Sequence, residues 1–299
     1  MSKILVTGAT GFVGMNLIPY LKKIHTELET INREDLYTEV SFAGCEVFIH
    51  LAGKAHDLKK TANPEEYYNV NYELTKKLYE SFLKSGAKKF IFISSVKATA
   101  DAVDGILTEE TQADPKTHYG KSKLIAETYI QSQPLPEGKF FYILRPCMIH
   151  GPGNKGNLNL LHQLVAKGLP WPLGAFENQR SFLSIENLCF VIKELLENAP
   201  IPSGIYQVSD DKSLSTNELI QLLGTSLGKK TKIWKINISF IKSVAKLGDF
   251  IYFPLNSERL QKLTENYVVS NEKIVKALRK SLPVSAEEGL RRTFMSFRK

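Results

Sequence analysis

The stretch Lys3 to Leu21, K-I-L-V-T-G-A-T-G-F-V-G-M-N-L-I-P-Y-L, limits what this chain can fold into more than any other. Ile4 to Thr7 have strand character, Gly8, Gly11 and Gly14 follow, and the apolar spacing then changes from a strand's to a helix's. A turn of this kind needs glycine where φ is positive or backbones approach too closely for a Cβ. The N–H groups that open the helix attract a pyrophosphate. The spacing G-x-x-G-x-x-G is one residue longer than the commonest dinucleotide fingerprint, G-x-G-x-x-G. Pro19 inside the expected helix removes a hydrogen bond and should bend the helix or end it early.

With 299 residues, 43% hydrophobic and 23% charged, the chain is long enough for one large globular domain or two smaller ones. No stretch approaches the roughly 20 apolar residues of a membrane span, and no basic, apolar and small-residue run marks a signal peptide. Cys45, Cys147 and Cys189 follow no C-x-x-C spacing, which points to a reducing, cytoplasmic setting and away from structural zinc. His50 and His56 lack further ligands at metal spacing, so no metal is expected. The formal charge is +8, and the lysines are spread along the chain. That suits an anionic small substrate better than nucleic acid.

The first half alternates strands and helices. Strands are expected at Glu27 to Asn32, Val47 to Leu51, Phe90 to Ile93 and Phe140 to Leu144, and helices at Pro64 to Ser85 and Lys121 to Gln131. The interval after Arg33 is too short for a helix and a full strand, so a third strand is vestigial, at Asp35-Leu36. The alternation implies a doubly wound parallel sheet with its ligand at the strands' carboxyl ends. Arg33, at the end of the second strand, points to the 2′-phosphate of NADP(H). Asp35 could instead hold the free ribose of NAD(H).

The chemistry is expected at Ser94-Ser95, after the F-I-F-I strand, and at Tyr119 and Lys123. Residues four apart share a helix face, so phenol and ammonium can serve one site. Tyrosine has an ordinary pKa of about 10, and a nearby cation favours the phenolate. A serine hydroxyl beside it can hold the same substrate oxygen opposite a nicotinamide.

With these residues the sequence resembles the extended short-chain dehydrogenases/reductases, in particular the nucleotide-sugar epimerase/dehydratase group. The resemblance covers nearly the whole chain. It rests on T-G-A-T-G-F-V-G, H-L-A-G at His50 to Gly53, Asn71 in N-V-N, Ser94-Ser95, the Tyr119/Lys123 pair, Arg145-Pro146 and Gly151-Pro152-Gly153. It implies that Tyr119 is the acid/base, that Lys123 holds the nicotinamide ribose and lowers the tyrosine pKa, and that Ser95 binds the reacting oxygen. It implies cofactor contacts from Gly8, Thr10, Gly11, Phe12, Val13, Gly14, Arg33, Leu51, Ala52, Gly53 and Pro146. A tyrosine is usual where His150 stands. The group's 4,6-dehydratases carry an Asp-Glu pair where this chain has Val96 and Lys97, so dehydration is not expected.

The stretches H-L-A-G-K-A-H, S-S-V-K, G-P-G-N-K-G-N, N-Q-R-S-F-L-S and V-S-D-D-K-S-L-S-T-N-E-L resemble bacterial surface-polysaccharide enzymes. These include UDP-glucose 4-epimerase-like proteins and UDP-4-keto-6-deoxy-hexosamine reductases. Of the two activities, Arg33 favours the reductase, and the intact Ser95/Tyr119/Lys123 set speaks against a further alternative, a non-catalytic NAD(P)-binding sensor or scaffold. The resemblance further implies substrate contacts from Lys97, Asn157 and Arg180, and a homodimer through the helices near Pro64 to Ser85 and Lys121 to Gln131. A Rossmann-like NAD(P)-binding domain over 1–152 and about 183–209 would be joined by a smaller α/β nucleotide-sugar domain over about 153–182 and 210–299. In the second half we expect helices at Leu158 to Lys167, Ile185 to Asn198 and Thr216 to Leu227, and strands at Gly204 to Val208 and Lys232 to Asn237.

Overall fold

The computed structural model describes residues 3–24, 27–37, 40, 42–54, 63–154, 157–198, 201–250 and 255–297. The chain begins β1 (Lys3–Thr7), α1 (Phe12–Leu21), β2 (Leu28–Ile31), β3 (Cys45–His50) and α2 (Pro64–Tyr68). A π-helical segment, Asn69–Glu73, then leads into α3 (Leu74–Lys84), β4 (Lys89–Ile93), β5 (Ile106–Leu107), α4 (His118–Ser132) and β6 (Phe140–Pro146). The second half contains β7 (Met148–His150), α5 (Asn157–Ala166), β8 (Phe182–Ser184), α6 (Ile185–Glu197) and β9 (Gly204–Val208). It ends with α7 (Thr216–Leu227), α8 (Ile238–Gly248), α9 (Ser257–Thr264), β10 (Val268–Val269), α10 (Glu272–Leu278) and α11 (Ala286–Ser296).

Six strands form one sheet in the order β2-β1-β3-β4-β6-β9, with every pairing parallel. This is the doubly wound arrangement expected from the alternation. The sheet is buried on both sides, so β3 and β4 show no polar alternation. On one side Phe48, Tyr79, Phe82 and Phe90 interlock, with the Phe48 and Phe90 rings 5.5 Å apart and Tyr79 edge-on to Phe90 at 5.0 Å. On the other side α6 contributes Leu188, Val191, Ile192 and Leu195 against β1, β4 and β6. A separate hydrophobic cluster joins α5, α7, α8, α9 and α11 through residues such as Leu161, Leu223, Ile241, Leu260 and Phe294.

Local corrections follow from backbone chemistry. Asp35-Leu36 is not a strand but part of a short 3₁₀ turn, Asp35–Tyr37, which leaves β2 as the sheet edge. Pro19 does not end α1, because it sits near the helix end and frees only the carbonyl of the exposed Met15. The helix expected over Pro64 to Ser85 is interrupted by the π-helical segment. The helix expected from Lys121 starts earlier, because the Thr117 hydroxyl accepts from Gly120 N at 3.2 Å and caps it. Lys232 to Asn237 forms no strand, and only isolated bridges tie Ile233 to Trp171 and Lys235 to Leu173. No helix among the described residues is long and apolar enough to cross a membrane.

The glycine turn is built as its spacing requires. Gly8 has φ +73°, and a Cβ there would stand 2.6 Å from Ala52 N. A Cβ on Gly14 would meet Gly8 O at 2.4 Å and Ala9 Cα at 2.7 Å, so α1 can cross β1 only on a bare α-carbon. Gly86, by contrast, has nothing within 4 Å of a Cβ. Gly14→Ala is therefore expected to cost about 3 kcal/mol by overpacking against backbone, and Gly86→Ala close to nothing, when the two are compared by denaturant unfolding. Equal stability of the two variants would contradict this account of the turn.

Candidate active site

The carboxyl ends of β1, β3, β4 and β6 lie side by side, and the loops that leave them form the site. Thr7 and His50 are register partners at the ends of β1 and β3. The Thr7 hydroxyl lies 2.8 Å from His50 Nδ1 and accepts from Ala52 N at 3.1 Å. His50 Nε2 lies 3.0 Å from the Thr75 hydroxyl, which donates to Asn71 O at 2.9 Å. One directed run satisfies all of these groups: Thr75 to Asn71 O, His50 Nε2–H to Thr75, Thr7 to His50 Nδ1, and Ala52 N–H to Thr7. Burial drives the His50 pKa down to about 3, helped by the Lys123 charge, so the ring is neutral and keeps one donor and one acceptor.

The π-helical segment turns Asn71 inward. Its Oδ1 accepts from Lys54 N at 2.8 Å, and its Nδ2 donates to Lys54 O at 3.1 Å and to the Ser122 hydroxyl at 3.0 Å. Ser122 in turn donates to Tyr119 O at 2.8 Å. Asn71 thereby fastens the loop after β3, with Leu51, Ala52 and Gly53, to the first turn of α4. A Cβ on Gly53 would stand 3.1 Å from both Asn71 Oδ1 and Lys123 Nζ, so the loop backbone lies directly over the lysine.

Tyr119 and Lys123 occupy one face of α4, as their spacing predicts. Tyr119 is hydrogen-bonded through its side chain to Ser95; burial raises its pKa first, and the Ser95 contact lowers it. Ser95 also caps the short turn after β4 by accepting from Lys97 N at 3.2 Å. Lys123 Nζ donates to Ile93 O at 2.9 Å and lies 4.6 Å over the Phe92 ring. Burial lowers its pKa to about 8 against the opposing pull of Glu127. The lysine is thus directed at the end of β4 and not at the phenol.

Beneath these residues lies a buried ion pair that the sequence did not reveal. Glu127 accepts from Arg145 Nε at 3.1 Å on each carboxylate oxygen, and also from Arg145 Nη2 and the Ser94 hydroxyl. Neither charge reaches solvent, so each depends on the other. The pair joins β4, α4 and β6 under the Ser95–Tyr119 contact. His150 packs deeper, 2.9 Å from the Thr293 hydroxyl and 3.5 Å from the Asp210 carboxylate, and ties β7 to α11.

Lys97 and Arg180 come together from distant parts of the chain. Lys97 Nζ donates to Asp101 O at 2.8 Å and lies 4.3 Å over the Tyr267 ring. Arg180 bridges Tyr267 through its backbone, donates from its guanidinium to Lys262 O and lies 3.7 Å from Glu265. Burial lowers the pKa of both, each bears on the Glu265 charge, and the Arg180 charge acts on Lys97. Arg33 is exposed in the turn after β2, and Pro146 is buried at the end of β6. Asn157 opens α5, but its side chain, like the whole of His56, lies outside the described residues. No group of three or more metal-ligating side chains occurs among the described residues.

The site fits a dinucleotide. Gly11 caps α1 without a side-chain hydrogen bond, and the first turn carries no acid, so N–H groups and the positive end of the helix dipole remain available to a pyrophosphate. Gly53 leaves backbone beside Lys123 that any side chain would cover.

A parallel sheet with this glycine turn and a Ser/Tyr/Lys set at its carboxyl edge is a Rossmann-type oxidoreductase arrangement. The chain belongs to the NAD-dependent epimerase/dehydratase family, whose sequence profile matches residues 4–209. It is 31% identical to a UDP-glucose 4-epimerase of Vibrio cholerae, over 98% of this chain and 95% of that protein. It is 27% identical to a GDP-6-deoxy-D-mannose reductase of Pseudomonas aeruginosa, over 74% of this chain and 79% of that one. The crystal structure of UDP-glucuronic acid 4-epimerase from Bacillus cereus in complex with NAD superposes with a TM-score of 0.76 at 21% identity, covering 99% and 98% of the two chains, and shares the fold.

The Lys123 shift fixes a pH dependence. Its folded pKa of about 8 lies below the ordinary 10.5, so below pH 8 the fold bears the full cost of a buried ammonium. That cost is relieved as the pH rises from about 8 towards 10.5. Relative to Lys123→Met, the wild-type chain should gain stability on the order of 3 kcal/mol across that window in denaturant titrations. A pH-independent difference would contradict the burial.

Proposed function

We propose that the protein is a cytoplasmic NAD(P)-dependent oxidoreductase acting at C4 of a nucleotide sugar, most simply a UDP sugar, and that it works as a 4-keto reductase. The hydrogen bond between Tyr119 and Ser95, beside the Lys123–Gly53 contact, is the observation that carries the reading. In this reading the parallel sheet, with the turn Gly8 to Gly14 and the loop Leu51 to Gly53, holds the cofactor. Lys97 and Arg180, converging on Glu265 and Tyr267, hold the sugar diphosphate together with Asn157. Arginine's planar fork and a neighbouring ammonium suit adjacent phosphates. A homodimer through α3 and α4 belongs to the same reading.

The bound nicotinamide supplies the two-electron reducing equivalent to the C4 carbon. Ser95 donates a hydrogen bond to the C4 oxygen and orients the carbonyl. Tyr119 delivers its phenolic proton to that oxygen as the carbinol forms, and solvent reprotonates the phenolate. Lys123, fixed on Ile93 O, would hold the nicotinamide ribose, and its charge would favour the phenolate. Glu127 and Arg145 hold β4, α4 and β6 in the register that keeps Ser95 against Tyr119. Elimination of water across C5 and C6 lacks its carboxylic acid and base, because Val96 and Lys97 stand where the group's dehydratases carry Asp and Glu.

Tyr119→Phe should lower turnover roughly a thousandfold while leaving cofactor affinity nearly unchanged, read by steady-state kinetics and by nicotinamide fluorescence titration. Near-normal turnover would remove Tyr119 from the chemistry. A second reading, UDP-sugar 4-epimerase, is favoured by the V. cholerae relative. The reductase is favoured by Arg33, exposed in the turn past β2, because an arginine at the end of the second strand suits a 2′-phosphate. Purified protein should therefore consume NADPH stoichiometrically with a UDP-4-keto-6-deoxy-sugar. Retention of NAD(H) through gel filtration, with interconversion of UDP-glucose or UDP-GlcNAc without added cofactor, would establish the epimerase instead.

A further inference from the structure

The lysines are spread along the chain, but the charge is not. Residues 1–228 contain 23 Lys and Arg against 25 Asp and Glu, whereas residues 229–299 contain 16 against 6, so the whole positive excess belongs to the last quarter. Apolar exposure is concentrated in the same part. Five of the twelve large hydrophobic side chains left exposed among the described residues fall between Trp234 and Phe250, and no other stretch of similar length holds more than two.

The structure explains why these side chains face outward. Asn237 caps α8 by accepting from Ser239 N at 2.9 Å and Phe240 N at 3.3 Å. One face of α8 is committed to the body of the protein through Ile241 and Ala245, and through Gly248, where a Cβ would stand 2.0 Å from Leu255 O. Phe240 and Leu247, seven residues apart on one flank of that face, are 61% and 63% exposed, and Phe250 beyond the helix is 90% exposed. Trp234, 53% exposed, is pinned through its backbone to Trp171 at 2.8 Å. Lys230, Lys232, Lys235, Lys242 and Lys246 are exposed around them and make no ion pair among the described residues. From Lys229 to Phe250 the single acid is Asp249, and its carboxylate is engaged by Ser257 N and the Ser257 hydroxyl at 2.9 and 2.6 Å.

Aromatic and leucine side chains along and beside a helix, with exposed lysines around them, suit the boundary between acyl chains and acidic headgroups. The rings enter the interface, and the lysine stems lie along it with their ammoniums at phosphate level. A second copy of the same face would oppose lysine to lysine. We propose that the face formed by Trp234, Phe240, Leu247 and Phe250 with Lys235, Lys242 and Lys246 docks the protein onto an anionic phospholipid bilayer. Docking is peripheral, is independent of which C4 reaction the enzyme performs, and places the α8–α9 side of the molecule at the membrane surface.

The full chain should sediment with vesicles of phosphatidylcholine and phosphatidylglycerol, much less with phosphatidylcholine alone, and less as salt is raised. Each lysine neutralised should weaken binding roughly fivefold, so K242Q/K246Q should weaken it about 25-fold, and F240S/L247S at least about tenfold. Both variants should keep wild-type turnover on a soluble substrate and wild-type circular dichroism. If F240S/L247S does not fold, K242Q/K246Q decides. The proposal is overturned if the wild-type chain does not bind acidic vesicles, or if neither variant loses binding. It is also overturned if light scattering shows that the substitutions dissociate an oligomer while acidic vesicles capture neither form, which would make the face a protein interface.

Discussion

His50 ends β3 with no access to solvent, and burial keeps its imidazole neutral at any ordinary pH. One nitrogen receives from Thr7 on β1 and the other donates to Thr75 on α3, so the ring sets the spacing between a strand end, a loop and a helix. The Ala52 amide, the close approach of Gly8 and the inward face of Asn71 all depend on that spacing. A charged ring would donate from Nδ1 as well, and the Thr7 hydroxyl, which now donates to that nitrogen, would have to turn its proton elsewhere. Desolvation is therefore part of how the cofactor edge of the sheet is aligned.

A second buried polar system aligns the chemical edge. Glu127 and Arg145 carry charge into a region where neither touches water, and their mutual bonds fix β4, α4 and β6 relative to one another. Lys123, close above them, is destabilised as a cation by the same burial and steadied by Glu127. The site thus combines a neutral network under the loops with a charged one under the catalytic face. Glycine backbone separates them where a ligand must come close.

Much of this was legible in the sequence. Features set by short-range rules came through: the glycine spacing fixed the β1–α1 crossing, unbroken apolar runs identified the central strands, and Tyr119 and Lys123 share a helix face because four residues make about one turn. Features set by side chains meeting across the fold did not come through. The extra residue that makes the Asn69–Glu73 turn a π-helix leaves the apolar spacing on either side helical, so periodicity could not show it. Glu127 and Arg145 read as an ordinary helix acid and a strand-end arginine until the sheet order brings them together. A buried acid on α4, on the face that also carries Tyr119 and Lys123, was the available signal. Lys232 to Asn237 alternates like a strand, yet has partners at only two points, at Trp171 and Leu173, so pattern without a neighbour produced two bridges.

The π-helical segment is in effect a helix carrying one residue more than its hydrogen bonding requires. The surplus residue makes the helix a vernier: α2 before it and α3 after it are offset by a fraction of a turn that whole α-helical turns cannot supply. Asn71 sits at that offset and reads it out onto Lys54 and Ser122. Losing a single residue anywhere between Asn69 and Glu73 would restore a regular helix and rotate one half against the other by about 100°. The loop after β3 and the first turn of α4 would then lose their common fastener while every residue conventionally counted as catalytic remained in place. Length within this helix is accordingly a property on which selection can act as strongly as on the identity of Tyr119.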